Sequence, residues 1–451
     1  MNTTSKPLKI KKLFKKQIVF LLATTFSGIL VSDYAKATIL INNYKEVIDH
    51  VWQIVYRDFL DSSGKFERSN WINIRKNFLD KKYSDSNEAY DAIRSMLLKL
   101  DDPYTRFLDP KEFNQMRIDT SGELTGVGIQ IVKDKESDDL IIISPIEGTP
   151  AYEAGIKARD KILSIDNIST KGMNIEDAVK LIRGQRGTKV KLEIFRNGDS
   201  FYKSLFRKRI EIKSVTSKIN DTKDGFLIGY VRIKQFNANA SKEMKETIKD
   251  LEMKKVSGYV LDLRSNPGGL LESSIEISRQ FIDKGIIVST LSKGGLREIK
   301  KGNGNALTQK PLMVLVNEGS ASASEIVSGA IRDNNRGKLV GMKTFGKGLV
   351  QSMRTLVDGS GLTVTVAKYL TPNGTDINKF GIVPDIEVKM NSNPILLKEV
   401  GTRRDRQYRV AEKELIKLIK KSDLVRNFEP NSSNLSEVFG EKYHNLVYKF
   451  Y

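Results

Sequence analysis

The spacing of apolar positions divides the chain into stretches of different character. Over 40–118 the period is helical: Val47, Val51, Ile54, Val55 and Phe59 fall on one face of a helix. That region closes at Asp102-Pro103, a turn signal. From 120 to 207 short strand-like runs take over, at Gly128 to Val132, Leu140 to Ile143, Lys161 to Ile165 and Val190 to Phe195. They are separated by Gly, Pro, Asn and Asp, and one helix is expected at Ile175 to Ile182. This predicts a compact α+β module. From about 208 apolar strands alternate with amphipathic helices. Gly258 to Leu263 and Leu312 to Val316 are continuous apolar runs, as expected of strands covered on both faces. Helices are expected at Leu270 to Phe281 and at Ser324 to Arg332, and residues 397–451 read as a charged, helical tail.

The first residues follow a different logic. Lys6, Lys9, Lys11, Lys12, Lys15 and Lys16 precede an apolar stretch of 14 residues, Ile18 to Val31, and Ala35-Lys36-Ala37 follows. A basic start, a short apolar run and a small-x-small site predict an export signal cleaved after Ala37. The apolar run is too short for a comfortable membrane span. An uncleaved signal anchor is the competing reading.

Composition narrows the chemistry. The chain has 451 residues, enough for two to three domains, and no cysteine. Disulfides, thiolate nucleophiles and thiolate metal sites are thereby excluded. Only two histidines exist, His50 and His444, so a His-rich metal site is excluded too. A serine nucleophile here would need a base other than histidine. The net charge of +20 suits an anionic surface. No nucleic-acid motif accompanies it, which leaves scattered solvated lysines or a peripheral membrane association. No metal or organic cofactor is expected.

Three segments carry candidate chemistry. Asn317-Glu318-Gly319-Ser320-Ala321-Ser322-Ala323-Ser324-Glu325-Ile326 follows a buried strand and opens a helix. A serine there sits where free N–H groups and the helix dipole favour an alkoxide and an oxyanion. A polar turn with Ser322 or Ser324 as N-cap would look similar. In Gly341 to Gln351, Lys347 lies between two glycines with apolar neighbours. A lysine acting as base must be desolvated so that it is neutral at working pH. On an extended backbone Lys347 and Gln351 share a face, so Gln351 could orient the amine. The third segment, Asp262 to Gly269, is a glycine turn leaving a buried strand, with N–H groups able to serve an oxyanion.

Together these segments closely resemble the carboxyl-terminal processing (tail-specific) protease family. Its pattern S-A-S-A-S-E, then T-F-G-K-G-x-V-Q, is present with Lys347 25 residues after Ser322 and Gln351 four further on. The resemblance implies Ser322 as nucleophile, Lys347 as general base, Gln351 as its orienting partner, and the N–H groups of Gly268 and Ala323 as oxyanion hole. Asp333 matches an aspartate the family often retains, read here as structural. Asp102 to Leu108, Gly229 to Phe236 and Phe380 to Asp385 match further family elements. The implied fold is α/β, a multidomain α+β chain with a crotonase-like (ClpP-like) αβ-spiral core.

The module at 119–207 resembles a PDZ domain, with Gly126-Val127-Gly128-Ile129 where such domains bind a C-terminal carboxylate. Arg159 stands where family members usually have glycine. Arg183 resembles an arginine that couples peptide binding to activation in some members. The expected organisation is a signal peptide at 1–37, an N-terminal helical domain at 38–118, the PDZ domain at 119–207, the Ser/Lys protease core at 208–396 and a helical tail at 397–451. The resemblance implies a periplasmic or thylakoid-lumenal endopeptidase that grips protein substrates by a free, apolar C-terminus. A non-catalytic PDZ adaptor or ligand carrier on the same fold is the alternative from another class.

Overall fold

The computed structural model describes residues 44–134, 137–390 and 399–428. The expected signal segment and His444 lie outside them. By contact density the chain forms two units that do not follow its linear order. Of the described residues, one gathers those up to Asn114 with Ser292–Leu296 and Leu349–Lys368; the other holds those from Gln115 to Leu291, Arg297–Gly348 and those from Tyr369 onward.

In the first unit a helix over 44–58 buries Val47, Val51, Ile54 and Val55, as its period predicts. Helices Arg68–Leu79 and Ser86–Leu97 follow, the second capped by Asp85, whose side chain accepts from Glu88 N. Trp71, Ile93 and Met96 complete a core that also takes in Leu356, Leu362 and Val364 from far along the chain. The strand Arg106–Leu108 pairs antiparallel with Gly361 to Thr363. The N-terminal region is therefore helical but not self-contained.

The second unit is built on a six-stranded sheet. Its strands run Val215–Asp221, Leu227–Ile233, Gly258–Asp262, Leu312–Val316, Lys338–Gly341 and Ile386–Glu387. The first pair is antiparallel and the rest parallel. Parallel neighbours need crossovers, and helices Ala240–Met253, Leu271–Arg279 and Ala323–Asp333 lie in them. Every residue of Gly258–Asp262 and Leu312–Val316 is buried, matching the unbroken apolar runs. Helix Arg406–Phe428 packs Tyr408, Ala411, Leu415 and Ile419 against Val260, Met313 and Leu315. Part of the expected tail thus covers one face of this sheet.

A buried ionic network ties that cover to the end of the Asp262 strand. The Arg264 guanidinium donates to Asp262 (Nε–Oδ1 2.9 Å) and to Asp405 (Nη1–Oδ1 3.0 Å, Nη2–Oδ2 2.6 Å). Gln407 and the Tyr230 hydroxyl complete it. Burial pushes the Asp405 carboxyl up, but the hydrogen bonds and charge of Arg264 outweigh it and hold the group below the usual carboxylate range.

The module forms an antiparallel sheet in the order Ile129–Lys133, Leu140–Pro145, Lys161–Ile165, Lys189–Arg196, Asp199–Phe206, with helix Ile175–Ile182 packed over it. Leu140, Ile142, Ile162, Val190 and Ile194 fill its core together with Ala178 and Ile182 of that helix. Exposed Arg159, where the resemblance led to an expected glycine, adopts φ +71°. The left-handed turn is kept without the residue that suits it, at about 1–2 kcal/mol.

Two outcomes follow from these features. Arg159→Gly relieves the left-handed strain and stabilises the module by roughly 0.5–1 kcal/mol. Amide exchange in Lys161–Ile165 then slows; unchanged or faster exchange would remove strain as the account of this turn. Asp405→Asn destabilises the core by about 3–5 kcal/mol at neutral pH, because Arg264 keeps its burial but loses a counter-charge. Since the folded carboxyl titrates below its unfolded value, its contribution is present above that value, near 4, and is lost as pH falls through the folded one. Acid denaturation of Asp405→Asn is correspondingly less steep.

Candidate active site

Three parallel strands end side by side. Asp262 is level with Leu315, and Val316 with Gly341. The three chemistry-bearing segments are the loops that leave these ends. Open α/β sheets commonly carry their sites at the carboxyl ends of strands.

The serine segment distinguishes its three hydroxyls. Ser320 is 0% exposed; its Oγ donates to Leu263 O at 2.8 Å and accepts from Asn317 N. Ser324 is also 0% exposed and donates to Asn266 O at 2.9 Å. Both hydroxyls staple this segment to the neighbouring turn. Ser322 is the partly exposed one. Its backbone has φ 54° and ψ −113°, a region that costs a non-glycine residue on the order of 1–3 kcal/mol. It is held from both sides: its N–H donates to Glu325 Oε2 at 2.9 Å, and its carbonyl accepts from Ile326 N and the Tyr369 hydroxyl. Helix Ala323–Asp333 starts directly after it.

The lysine segment leaves Lys338–Gly341 as a loop. Thr344 N donates to Ile382 O, Ile382 N to Thr344 Oγ1, and Lys379 N to Gly346 O. The Phe380 to Asp385 element is therefore the bed of this loop. Gly346 has φ +90°, and a Cβ there would meet Gly381 N at 2.8 Å and backbone atoms of Lys379 and Phe380 at 3.0 Å. Close approach of two main chains explains that glycine. Lys347, partly buried, donates its N–H to Glu325 Oε2 at 2.9 Å. The nitrogens of Ser322 and Lys347 share one acceptor atom, so they are no more than twice that distance apart.

The third segment packs on the serine turn. Ser265 N donates to Asn317 Oδ1, and Ala321 N to Asn266 O. A Cβ on Gly268 would meet Ala321 O at 2.8 Å, Ser322 Cβ at 2.9 Å and Ala323 N at 3.0 Å. Gly268 thus lies against the turn formed by Ala321, Ser322 and Ala323. The Gly268 N–H itself donates to Asn266 Oδ1 at 2.9 Å, and the Asn266 amide is anchored on Ile233 O.

Gln351 lies on the strand Leu349–Thr355, whose register with Gly361–Leu370 shifts between Val350 and Gln351 because Val366 of the partner strand is extra. Lys347 lies two residues before that strand begins, so strand alternation does not extend to it. Its Nε2 is 3.4 Å from Thr365 Oγ1, which donates to Asp102 Oδ2 at 2.7 Å. Asp333 accepts from Arg332 Nε and Asn373 N, a structural set of contacts. In the module, the Val127 and Gly128 carbonyls of the Gly126–Ile129 loop accept from Ala151 and Ile146. Arg183 donates to Gln115 Oε1 at 3.2 Å. His50 belongs to the helix over 44–58.

Residues outside the expected set hold the site: Glu325, Thr344, Asn266 and Tyr369. Only Glu325 had a usable signal. Ser322-x-x-Glu325 has capping-box spacing.

Residues 227–388 match peptidase family S41, and residues 141–196 match a PDZ domain. A carboxyl-terminal-processing protease of Synechocystis sp. is 42% identical over 363 residues, covering 80% of this chain and 84% of that protein. One from Picosynechococcus sp. is 42% identical over 385 residues, covering 85% and 92%. Among solved structures, a photosystem II D1 C-terminal processing protease aligns with TM-score 0.50 at 36% identity, covering 77% of this chain and 93% of that one. The chain belongs to the carboxyl-terminal-processing proteases of peptidase family S41, serine peptidases that carry a PDZ domain.

Proposed function

We propose that this peptidase binds exported proteins by their C-terminus through the PDZ domain and cleaves near that end with a Ser322/Lys347 dyad. The observation that carries the reading is the serine segment. Of three neighbouring serines, two have buried hydroxyls committed to main chain, while Ser322 is partly exposed on a strained turn. Its backbone and that of Lys347 share one carboxylate oxygen.

In this mechanism the neutral Lys347 amine takes the Ser322 proton as Oγ attacks the scissile carbonyl. The oxyanion receives the Ala323 N–H and the Gly268 N–H, the latter turning from Asn266 Oδ1. The Lys347 ammonium then protonates the leaving amine, and water activated by the same amine hydrolyses the acyl-enzyme. Gln351 orients the amine. The loop Gly126, Val127, Gly128 and Ile129 receives the substrate carboxylate, and the bound segment extends the module's sheet. Cyanobacterial and chloroplast relatives support an exported or lumenal setting, reached by cleavage after Ala37.

The dyad is tested by kcat/KM against pH on a quenched peptide ending in three apolar residues. Ser322→Ala abolishes turnover while peptide binding persists. Ser320→Ala and Ser324→Ala lose stability before chemistry. Activity of the native enzyme rises with pH as the ammonium deprotonates. Lys347→Arg is as inactive as Lys347→Ala, since a guanidinium keeps its proton. Near-native turnover in Lys347→Arg would exclude the dyad.

Substrate capture has its own test. Amidating the peptide C-terminus weakens binding by about 1.5–3 kcal/mol if the loop donates charge-assisted hydrogen bonds. Equal affinity for acid and amide, measured by calorimetry with Ser322→Ala protein, would exclude a carboxylate-reading loop.

A further inference from the structure

We infer that Glu325 is a positioning residue that holds both halves of the catalytic dyad in register on one buried carboxylate. The inference rests on the Ser322/Lys347 reading above and adds the group that aligns the two. Glu325 is 0% exposed. Its Oε2 accepts from Ser322 N and Lys347 N, each at 2.9 Å. Its Oε1 accepts from Thr344 Oγ1 at 2.6 Å and Gly346 N at 2.8 Å. A carboxylate offers about four lone-pair sites, and four donors occupy them.

An ordinary capping glutamate would account for only one of these bonds, the one to the N-cap N–H. The other three come from the loop that carries the base. Three of the four donors are main-chain N–H groups, so they fix backbone positions rather than rotamers. The fourth is directional as well: Thr344 Oγ1 accepts from Ile382 N at 2.7 Å, which leaves its hydrogen for Glu325. A strained serine turn and a glycine-flanked loop are both prone to drift. Tying them to the same oxygen sets the distance between nucleophile and base.

Neutral isosteres cannot reproduce this arrangement. In Glu325→Gln the amide NH2 replaces one oxygen and faces two donors whichever way it is turned. Glu325 makes no contact with substrate in this mechanism. The effect therefore falls on kcat and spares KM.

The experiment compares the full-length enzyme with five variants on the same quenched peptide. Glu325→Gln should lower kcat at least about 100-fold with KM within threefold. Thr344→Val, which loses one donor, should lower kcat about tenfold, and Thr344→Ser, which keeps the hydroxyl, should restore it. A purely structural role would lower folded fraction and leave kcat per folded molecule unchanged, so kcat is normalised to folded protein by circular dichroism. Glu325→Gln with kcat within threefold of the native enzyme, or with its loss expressed in KM, overturns the inference. Should Glu325→Gln fail to fold, equal kcat in Thr344→Val and Thr344→Ser overturns it alone. Ser322→Ala and Lys347→Arg run alongside. If either retains turnover, the dyad reading itself falls; if both are dead while Glu325→Gln is active, only this inference does.

Discussion

The site depends on the parallel register of three buried strands. Gly258–Asp262, Leu312–Val316 and Lys338–Gly341 pair so that their carboxyl ends are adjacent. Three loops remote in sequence therefore emerge together. The glycine turn supplies a main-chain edge against the serine, the second loop supplies the serine on a strained turn, and the third supplies the lysine. The strands can be buried on both faces because helices supply the crossovers and a later helix, Arg406–Phe428, covers one side.

Two buried acidic clusters hold this arrangement in different ways. Asp262 and Asp405 are bridged by Arg264, so opposite charges offset one another's loss of water. That network fastens the end of the Asp262 strand to the covering helix, at the root of the glycine turn. Glu325 instead collects neutral donors, mostly main-chain N–H groups. Hydrogen bonds to a carboxylate are stronger than neutral ones, and a buried, low-dielectric setting strengthens them further. The first cluster ties elements together; the second sets fine geometry.

Local rules are broken where the site is. Ser322 and Ser265 both take positive φ without being glycine. The Gly268 N–H is taken by Asn266 in this structure, so the proposed mechanism requires it to turn from that acceptor before it can serve an oxyanion. By contrast, the positive φ of Arg159 lies on an exposed turn of the PDZ domain and touches no catalytic group. Both strained turns are over-determined by hydrogen bonds: Ser322 by Glu325 and Tyr369, and Arg159 by its N–H to Ile142 O and by Lys157 N to Asp160 Oδ2.

Apolar period alone determined much of the fold. The helix over 44–58, the helix Ile175–Ile182 and the two fully buried strands fall where the pattern put them, because burial of a face or of a whole strand is written into neighbouring residues. The spacing of Ser322, Lys347 and Gln351 likewise marked the candidate chemistry, since a motif is a property of the chain itself. Other features arise only when distant segments meet. The strand Arg106–Leu108 needed a partner 257 residues away, and Leu356, Leu362 and Val364 joined the N-terminal core for the same reason. The stretch after 397 looked like a charged tail because its buried stripe is narrow and its polar face wide. Lys347 lies in the loop before the strand that carries Gln351, so the expected shared face depended on a strand start the sequence did not mark. Glu325 offered the sequence only a capping-box spacing to Ser322, because that spacing is local. Its bonds to Thr344, Gly346 and Lys347 depend on strand register, and only the tertiary structure decides that.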